Sequence, residues 1–199
     1  MGEGMNTNTI RAFIAIELDQ RIEETISKLS HELSIKLPHR LRWVKADLIH
    51  LTLNFLGNIP AAKTGILTDL MNATVNNIQP FEVAFRGLGC FPNLNRPRVI
   101  WIGMEQSSDL NELQKSLTDA LKENGFEIET RQFSPHLTLA RVPETTPHPV
   151  LQQIGREINN YKTVEVGRMQ ITQLKLIKSD LTPSGPRYTI LSTALLQKR

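Results

Sequence analysis

The tetrapeptide motif His-Leu-Thr-Leu occurs twice in the chain, in "HLTLNFLG" (His50–Gly57) and in "HLTLAR" (His136–Arg141). The chain has five histidines in 199 residues, and two of them begin this motif. In a β-strand, successive side chains point to opposite faces of the sheet. In each copy, therefore, the histidine and threonine are predicted to share one face, and the leucines to point into the core. Phe55 is predicted to join the leucines of the first copy.

The segments around the two motifs predict the same order of elements in each half of the chain: strand, helix, His-Leu-Thr-Leu strand, helix, strand. In the first half, the apolar run Arg11–Leu18 predicts a strand. Apolar residues at helical spacing predict a helix over Asp19–Leu37, with Asp19 as its N-cap. In the second half, Pro97–Met104 predicts a strand and Ser107–Asn124 a helix. Two further strands are predicted before the C-terminus.

This repeat predicts an α+β fold of two pseudo-symmetric lobes, with antiparallel sheets around a central cleft and helices on the outer faces. No linker rich in Gly and Ser separates the halves, so residues 11–199 are expected to form a single domain of two intertwined lobes. Residues 1–10 are expected to be a disordered N-terminal lead. The cleft would then hold two imidazoles and two hydroxyls.

Composition and charge are those of an ordinary globular protein. Hydrophobic residues make up 40% of the chain and charged residues 22%, the formal net charge is +3, and the pI is about 9.1. Cys90 is the single cysteine, so no intramolecular disulfide or cysteine-based zinc cluster can form, and we expect a packed small hydrophobe there. No apolar run has the length of a membrane span. We therefore expect a cytoplasmic monomer with no membrane partner.

Paired histidines suit concerted acid–base chemistry, because one can accept a proton while the other donates one near neutral pH. Threonine hydroxyls can donate hydrogen bonds to an anion, and Arg141 could grip a phosphate. No Asp or Glu lies beside either histidine, so no metal site is expected. A Ser-His-Asp triad would leave the second histidine unexplained. The G-x-S-x-G and Walker loops are absent from the sequence.

The two H-x-T-x motifs resemble those of the 2H phosphoesterase superfamily, and so do the segments "RAFIAIEL", "GLGCFPNLNRPRVIWIG" and "SDLTPSGPRYTIL". Within it, they resemble the RNA 2′,3′-cyclic phosphodiesterases, also called the 2′-5′ RNA ligase family. The resemblance implies that His50 is the proton donor and His136 the proton acceptor. It implies that Thr52, Thr138 and Arg141 bind phosphate, and that no metal or other cofactor takes part.

Two positions fit this resemblance less directly. Strand alternation places Arg141 on the leucine face unless the strand ends or bulges there. Asn54 stands where the family often has a basic residue before Phe, which leaves any charge contact at that position open.

The implied reaction is hydrolysis of RNA 2′,3′-cyclic phosphate ends to 2′-phosphomonoesters, with reverse 2′-5′ ligation as its counterpart. The substrates would be RNA ends or small cyclic nucleotides. One alternative keeps the chemistry but changes the substrate to 2′-5′ oligoadenylate or an ADP-ribose cyclic phosphate. Another is a non-catalytic RNA-binding module, in which the basic stretch Lys36–Lys45 follows a phosphate backbone and Trp43 stacks on a base. A solvated loop and strand with a core tryptophan is the favoured explanation of that stretch. The segment Ser179–Tyr188 predicts a turn with a structural role.

Overall fold

The computed structural model describes residues 8–37, 41–129, 131–183 and 185–197. Within these ranges it contains four α-helices and nine β-strands, which confirms the α+β class. In chain order they are β1 (Thr9–Glu17), α1 (Gln20–Lys36), β2 (Arg42–Trp43), β3 (His50–Pro60), α2 (Thr64–Val75), β4 (Phe81–Phe91), β5 (Val99–Met104), α3 (Ser108–Glu123), β6 (Leu137–Arg141), α4 (His148–Asn159), β7 (Glu165–Ile171), β8 (Gln173–Thr182) and β9 (Gly185–Leu195).

The strands form two antiparallel sheets. The first has the order β3-β1-β8-β9, and the second has the order β2-β6-β5-β4-β7. In this order β3 corresponds to β6, β1 to β5, and β8 to β4, so each His-Leu-Thr-Leu strand flanks the strand that begins its half. The pseudo-symmetry is therefore confirmed for the strands that carry the two motifs.

The predicted order of elements is present in both halves, but the last strands of the two halves lie in the same sheet. Both β4 and β7 lie in the second sheet, where β4 pairs with β5 and β7 pairs with β4. The corresponding position in the first sheet is filled by β8, from near the C-terminus of the chain. The first lobe is thus completed by the end of the chain, which ties the two lobes together.

The helices also cross between the lobes. Helix α1 follows β1 of the first sheet but packs against β7 of the second, and α3 follows β5 of the second sheet but packs against β3 and α2. Helix α2 contacts β8 and β9, and α4 contacts β4. Each sheet is therefore covered by one helix from each half of the chain.

The predicted Asp19 cap of α1 is present, and Ser107 caps α3. The Asp19 carboxylate accepts a hydrogen bond from the Ile22 N–H at 2.9 Å, and the Ser107 hydroxyl accepts one from the Leu110 N–H at 3.2 Å. The apolar stripes of α1 and α3 are buried, and they consist of Ile22, Ile26, Leu29, Leu33, Leu110, Leu113, Leu117 and Leu121. The helical spacing of apolar residues in the sequence therefore identified the core faces of both helices.

The N-terminal strand begins earlier than expected. Thr9 pairs with Pro60 and Ile10 with Ile59, so these two residues belong to β1 rather than to a disordered lead. Residues 1–7 lie outside the described ranges. Cys90 is a buried, packed residue as predicted, and its burial raises the pKa of the thiol to about 12. Over the described residues, the helices are all too short or too polar to cross a membrane.

Candidate active site

A β-bulge follows the threonine in each His-Leu-Thr-Leu strand. In the first sheet Ile14 pairs with Asn54 and Ala15 with Thr52, which leaves Leu53 as the extra residue of β3. A bulge changes the alternation of side chains along its strand. Leu53 and Asn54 are both buried, and the Phe55 side chain is 54% exposed. The prediction that Phe55 points into the core is therefore wrong.

The second copy has the same irregularity at the equivalent position. Ile100 pairs with Ala140 and Trp101 with Thr138, which leaves Leu139 as the extra residue of β6. Leu139 and Ala140 are both buried, and Arg141 is exposed. The bulge therefore moves Arg141 from the predicted leucine face to the face of Thr138.

The two sheets face each other across one large cleft with a volume of about 2690 Å³. All five residues predicted for the site line it: His50, Thr52, His136, Thr138 and Arg141. The first two come from β3 of the first sheet, and the other three lie at the start of β6 or on that strand in the second sheet. The structure thus brings together every residue of the predicted constellation.

The two imidazoles are held in the same way. His50 Nδ1 lies 2.9 Å from the backbone oxygen of Leu48, and His136 Nδ1 lies 2.7 Å from that of Ser134. A carbonyl oxygen can only accept a hydrogen bond, so Nδ1 carries a proton and donates it in both cases. In the neutral form of each ring, Nε2 is then left without a proton and can accept one, and in the charged form Nε2 can donate one.

The surroundings of the two rings differ. The His50 ring stacks on Phe13 with centroids 4.7 Å apart and an interplanar angle of 23°, and the Tyr188 ring meets it edge-on at 5.3 Å. Burial lowers the pKa of His50, and the Leu48 carbonyl and the Glu17 carboxylate oppose this effect. His136 meets one aromatic ring, Phe91, edge-on at 4.9 Å. His50 therefore lies in the drier environment.

Tyr188 is a site residue that the sequence did not reveal. Its segment was expected to be a structural turn, and β8 and β9 do form a hairpin there, with Thr182 paired to Gly185. The Tyr188 ring, however, contacts both His50 and Phe13. Burial raises the pKa of its hydroxyl, and the positive charges of Arg141 and Arg11 oppose this. It comes from a distant part of the chain, so no local pattern could have linked it to His50.

The cleft has an excess of basic side chains. Its lining includes Arg11, Arg42, Lys45, Arg98, Arg131, Arg141 and Arg187 against Glu17, Glu23, Asp47, Glu127 and Glu129. Across the described ranges, Arg11, Arg42 and Arg141 form no salt bridge. Trp43 lines the cleft and also packs against the core. Arg40 of the basic stretch lies outside the described residues.

Asn54 is hydrogen-bonded to the neighbouring helix α3. Its side chain is buried, and its Nδ2 donates a hydrogen bond to the Thr118 hydroxyl of α3 at 2.7 Å. In the part of the chain that the structure describes, no three His, Cys, Asp or Glu side chains are grouped as they would be around a metal ion.

The chain is similar to known proteins over most of its length. Residues 18–183 match the model of the 2′-5′ RNA ligase superfamily. A Methanothermobacter thermautotrophicus protein named RNA 2′,3′-cyclic phosphodiesterase is 34% identical over 180 residues, which cover 90% of this chain and 95% of the relative. An Aquifex aeolicus protein of the same name is 32% identical and covers 92% of this chain and 95% of the relative.

Solved structures show the same fold. The Thermus thermophilus protein TT0787 superposes with a TM-score of 0.79 at 27% identity, over 94% of this chain and 98% of that one. E. coli LigT in complex with 3′-AMP superposes with a TM-score of 0.75 at 28% identity, over 96% of this chain and 100% of that one. The extent of the match and the matched family model agree with the paired His-Leu-Thr-Leu strands facing one cleft, and the chain belongs to the 2′-5′ RNA ligase superfamily.

Proposed function

We propose that this protein is a metal-independent cyclic phosphodiesterase that hydrolyses RNA 2′,3′-cyclic phosphate ends to 2′-phosphomonoesters. The observation that carries the proposal is the pair of imidazoles, each fixed through Nδ1 to a backbone carbonyl and each facing the same cleft. The names of the relatives support the choice of substrate. Every residue that the proposal needs belongs to one chain, so a monomer is sufficient.

The reaction requires one proton transfer at each histidine. Nε2 of His136 accepts a proton from water as the water oxygen attacks the phosphorus atom. The bond from phosphorus to O3′ breaks, and Nε2 of His50 donates its proton to O3′. The products are a free 3′-hydroxyl and a 2′-phosphomonoester. Because the active form has a proton on His50 and none on His136, the rate is expected to be bell-shaped in pH, with limbs that report the coupled pair.

The remaining groups stabilise negative charge. The hydroxyls of Thr52 and Thr138 donate hydrogen bonds to the non-bridging phosphate oxygens, one from each lobe. The guanidinium group of Arg141 forms no salt bridge among the described residues, so its charge is available to the phosphate. Donors that are fixed before the reaction stabilise the charge that grows during it without a cost of reorganisation.

Burial of His50 affects its proposed role as the acid. In the free protein burial lowers its pKa, which favours the neutral ring. A bound cyclic phosphate places a negative charge beside the ring and favours the charged form. Substrate binding thus loads His50 with the proton that it later donates. Ligation would use the same groups: an RNA 5′-hydroxyl replaces water as the nucleophile, the bond from phosphorus to O3′ breaks, and a 2′-5′ linkage forms.

The test uses an oligonucleotide that ends in a 2′,3′-cyclic phosphate, incubated with the protein in the presence of EDTA. We expect a 2′-phosphate end, and losses of roughly 10²- to 10⁴-fold in rate for His50→Ala and for His136→Ala. His148→Ala, on α4 and outside the cleft lining, is the matched control. A 3′-phosphate product, no turnover with EDTA present, or a His136→Ala variant at the control rate would each overturn the proposal.

A further inference from the structure

A carboxylate lies beside the first catalytic histidine. In the first lobe β1 pairs with β3, so that Ala15 lies opposite Thr52 and Glu17 lies opposite His50. Residues that are directly opposite in an antiparallel pair have Cβ atoms about 5 Å apart on the same face of the sheet. The Glu17 side chain also lines the cleft. The His50 ring therefore has a carboxylate as its cross-strand neighbour.

The neighbouring strand β8 holds this carboxylate in place. Lys175 pairs with Ala15 across the β1–β8 ladder, and its ammonium group forms a salt bridge with the Glu17 carboxylate. The Lys175 side chain is 13% exposed and the Glu17 side chain is 40% exposed. The lysine is thus largely covered while the carboxylate reaches the cleft, so the salt bridge fixes the orientation of Glu17 at the cleft surface.

Two glycines occupy the equivalent positions of the second lobe. The β5 residue that pairs with the threonine of the second motif is Trp101, and the β4 residue that pairs with Trp101 is Gly89. Gly89 therefore corresponds to Lys175. Gly103 follows Trp101 by two residues, as the glutamate follows its alanine on β1, and therefore corresponds to Glu17.

The Trp101 ring covers both glycines. A Cβ atom added to Gly89 would lie 2.3 Å from this ring, and one added to Gly103 would lie 3.1 Å from it. Neither position has room for a larger side chain while the indole ring stays where it is. The two positions that hold a salt bridge beside His50 are thus covered by an uncharged ring beside His136.

Ionisable groups surround His50 on several elements, and their effects differ in sign. They are Glu17 on β1, Glu23 on α1, Asp47 before β3, Lys175 on β8, Tyr188 on β9 and Arg141 across the cleft. Burial lowers the pKa of His50, and the negative charge of Glu17 opposes this by favouring the protonated ring. The positive charge of Lys175 weakens that effect, because it lies against the same carboxylate.

We propose that Glu17, held by Lys175, is a positioning residue that makes His50 the acid of the histidine pair, whereas His136 lacks such a neighbour and acts as the base. This inference rests on the proposed function and explains the direction in which its two proton transfers run. Glu17 exchanges no proton with the substrate. It favours the form of His50 that carries a proton on both ring nitrogens, which is the form that donates to O3′. Lys175 also limits the repulsion between Glu17 and the substrate phosphate.

The first experiment follows the ring signals of His50 and His136 by NMR as the pH is varied, in the protein without substrate. Glu17→Gln is expected to move the His50 midpoint to lower pH by about 0.5–1, the effect of one charge several ångströms away in a partly hydrated site. The His136 midpoint should stay in place. A variant that merely loosened the site would hydrate the His50 ring and move its midpoint the other way.

Two further variants serve as controls. Glu17→Asp retains the charge on a shorter side chain and should keep most of the His50 midpoint. Glu112→Gln removes the same charge as Glu17→Gln from an exposed position of α3 that lies away from the cleft lining. It should leave both histidine midpoints unchanged.

The second experiment measures kcat/KM against pH for adenosine 2′,3′-cyclic phosphate in the presence of EDTA. On the alkaline limb the active fraction depends on the proton of His50, and on the acidic limb it depends on loss of the proton from His136. Glu17→Gln should therefore lower the ratio of kcat/KM on the alkaline limb to that on the acidic limb by roughly three- to tenfold, which corresponds to the expected shift of the midpoint. A general loss of structure would lower both limbs by the same factor and leave this ratio unchanged.

The outcomes separate the role of Glu17 from the function beneath it. No turnover by the unaltered protein would overturn the proposed function, while the NMR titrations would still decide whether Glu17 acts on His50. Equal His50 midpoints in Glu17→Gln and Glu112→Gln would overturn the role of Glu17. So would a His136 midpoint that moved as far as that of His50, or a ratio of the two limbs that Glu17→Gln left unchanged. A lower His50 midpoint together with a lower ratio would establish Glu17 as the positioning residue.

Discussion

Phe13 supports the His50 ring, and replacing it with alanine separates the stability of the fold from the arrangement of the site. The Phe13 side chain is 4% exposed and provides the surface on which His50 stacks at 4.7 Å. The hydrogen bond from His50 Nδ1 to Leu48 does not involve Phe13. We therefore expect Phe13→Ala to keep the imidazole in the cleft but to leave one face of the ring unsupported and wetter.

The expected magnitudes follow from this geometry. Deleting a buried phenylalanine side chain costs about 3–5 kcal/mol of unfolding free energy. Loss of proton transfer from His50 altogether would cost roughly 10²- to 10⁴-fold in rate. A ring that keeps its backbone hydrogen bond but loses its alignment should cost less, about 10- to 100-fold in kcat. Since burial is the main cause of the lowered pKa of His50, that pKa should rise in the variant.

The assay compares Phe13→Ala with Phe85→Ala. Phe85 is equally buried, at 1% exposed, but packs in the core away from both catalytic rings. Urea unfolding should show similar losses of stability for the two variants. Only Phe13→Ala should lower kcat and move the NMR titration of the His50 ring to higher pH. Equal kcat values and equal His50 titrations in the two variants would refute the supporting role of Phe13.

Three further predictions follow from the structure. Arg141→Gln should lower kcat/KM on a cyclic nucleotide by roughly 10- to 150-fold, because it removes a charged hydrogen bond to phosphate, and steady-state kinetics at fixed salt would show no such loss if Arg141 faced elsewhere. Gly89→Ala should cost about 1–3 kcal/mol in urea unfolding, because its Cβ would lie 2.3 Å from the Trp101 ring; unchanged stability would contradict this packing. The pKa of His50 is lowered in the folded protein. Below the ordinary histidine pKa of about 6.5, this residue therefore binds more protons in the unfolded chain than in the folded one. The stability from His50 is therefore present above that pH and is lost as the pH falls through the folded pKa, so His50→Gln should show a weaker loss of unfolding free energy between pH 7 and pH 5 than the unaltered protein.

The sequence was sufficient to predict the helices and strands, and to predict that the two His-Leu-Thr-Leu motifs face one cleft. Helical spacing identified the buried faces of α1 and α3, and alternation placed His50 with Thr52 and His136 with Thr138 on the cleft face. These patterns depend on residues that are close together in the chain, where the period of the backbone decides which side chains share a face.

Features that depend on distant residues were not predictable. The bulges at Leu53 and Leu139 arise from the register with β1 and β5, and one extra residue is invisible in the alternation of a single strand. For this reason the sequence placed Phe55 in the core and left the direction of Arg141 open. Tyr188 lies on β9, which pairs with β8, and β8 pairs with β1 in the first sheet. The contact of Tyr188 with His50 depends on this pairing, which nothing local in the sequence specifies.

Replacing O3′ of a 2′,3′-cyclic phosphate with sulfur tests the assigned roles of the two histidines most directly. A thiolate leaves without needing a proton, because a thiol is far more acidic than a sugar hydroxyl. The measurement is kcat for the unaltered protein, His50→Ala and His136→Ala on the oxygen and sulfur substrates. His50→Ala should lose roughly 10²- to 10⁴-fold on the oxygen substrate and recover most of it on the sulfur substrate, whereas His136→Ala should lose activity on both. Recovery of His136→Ala by sulfur, or equal losses of His50→Ala on both substrates, would contradict the assigned roles.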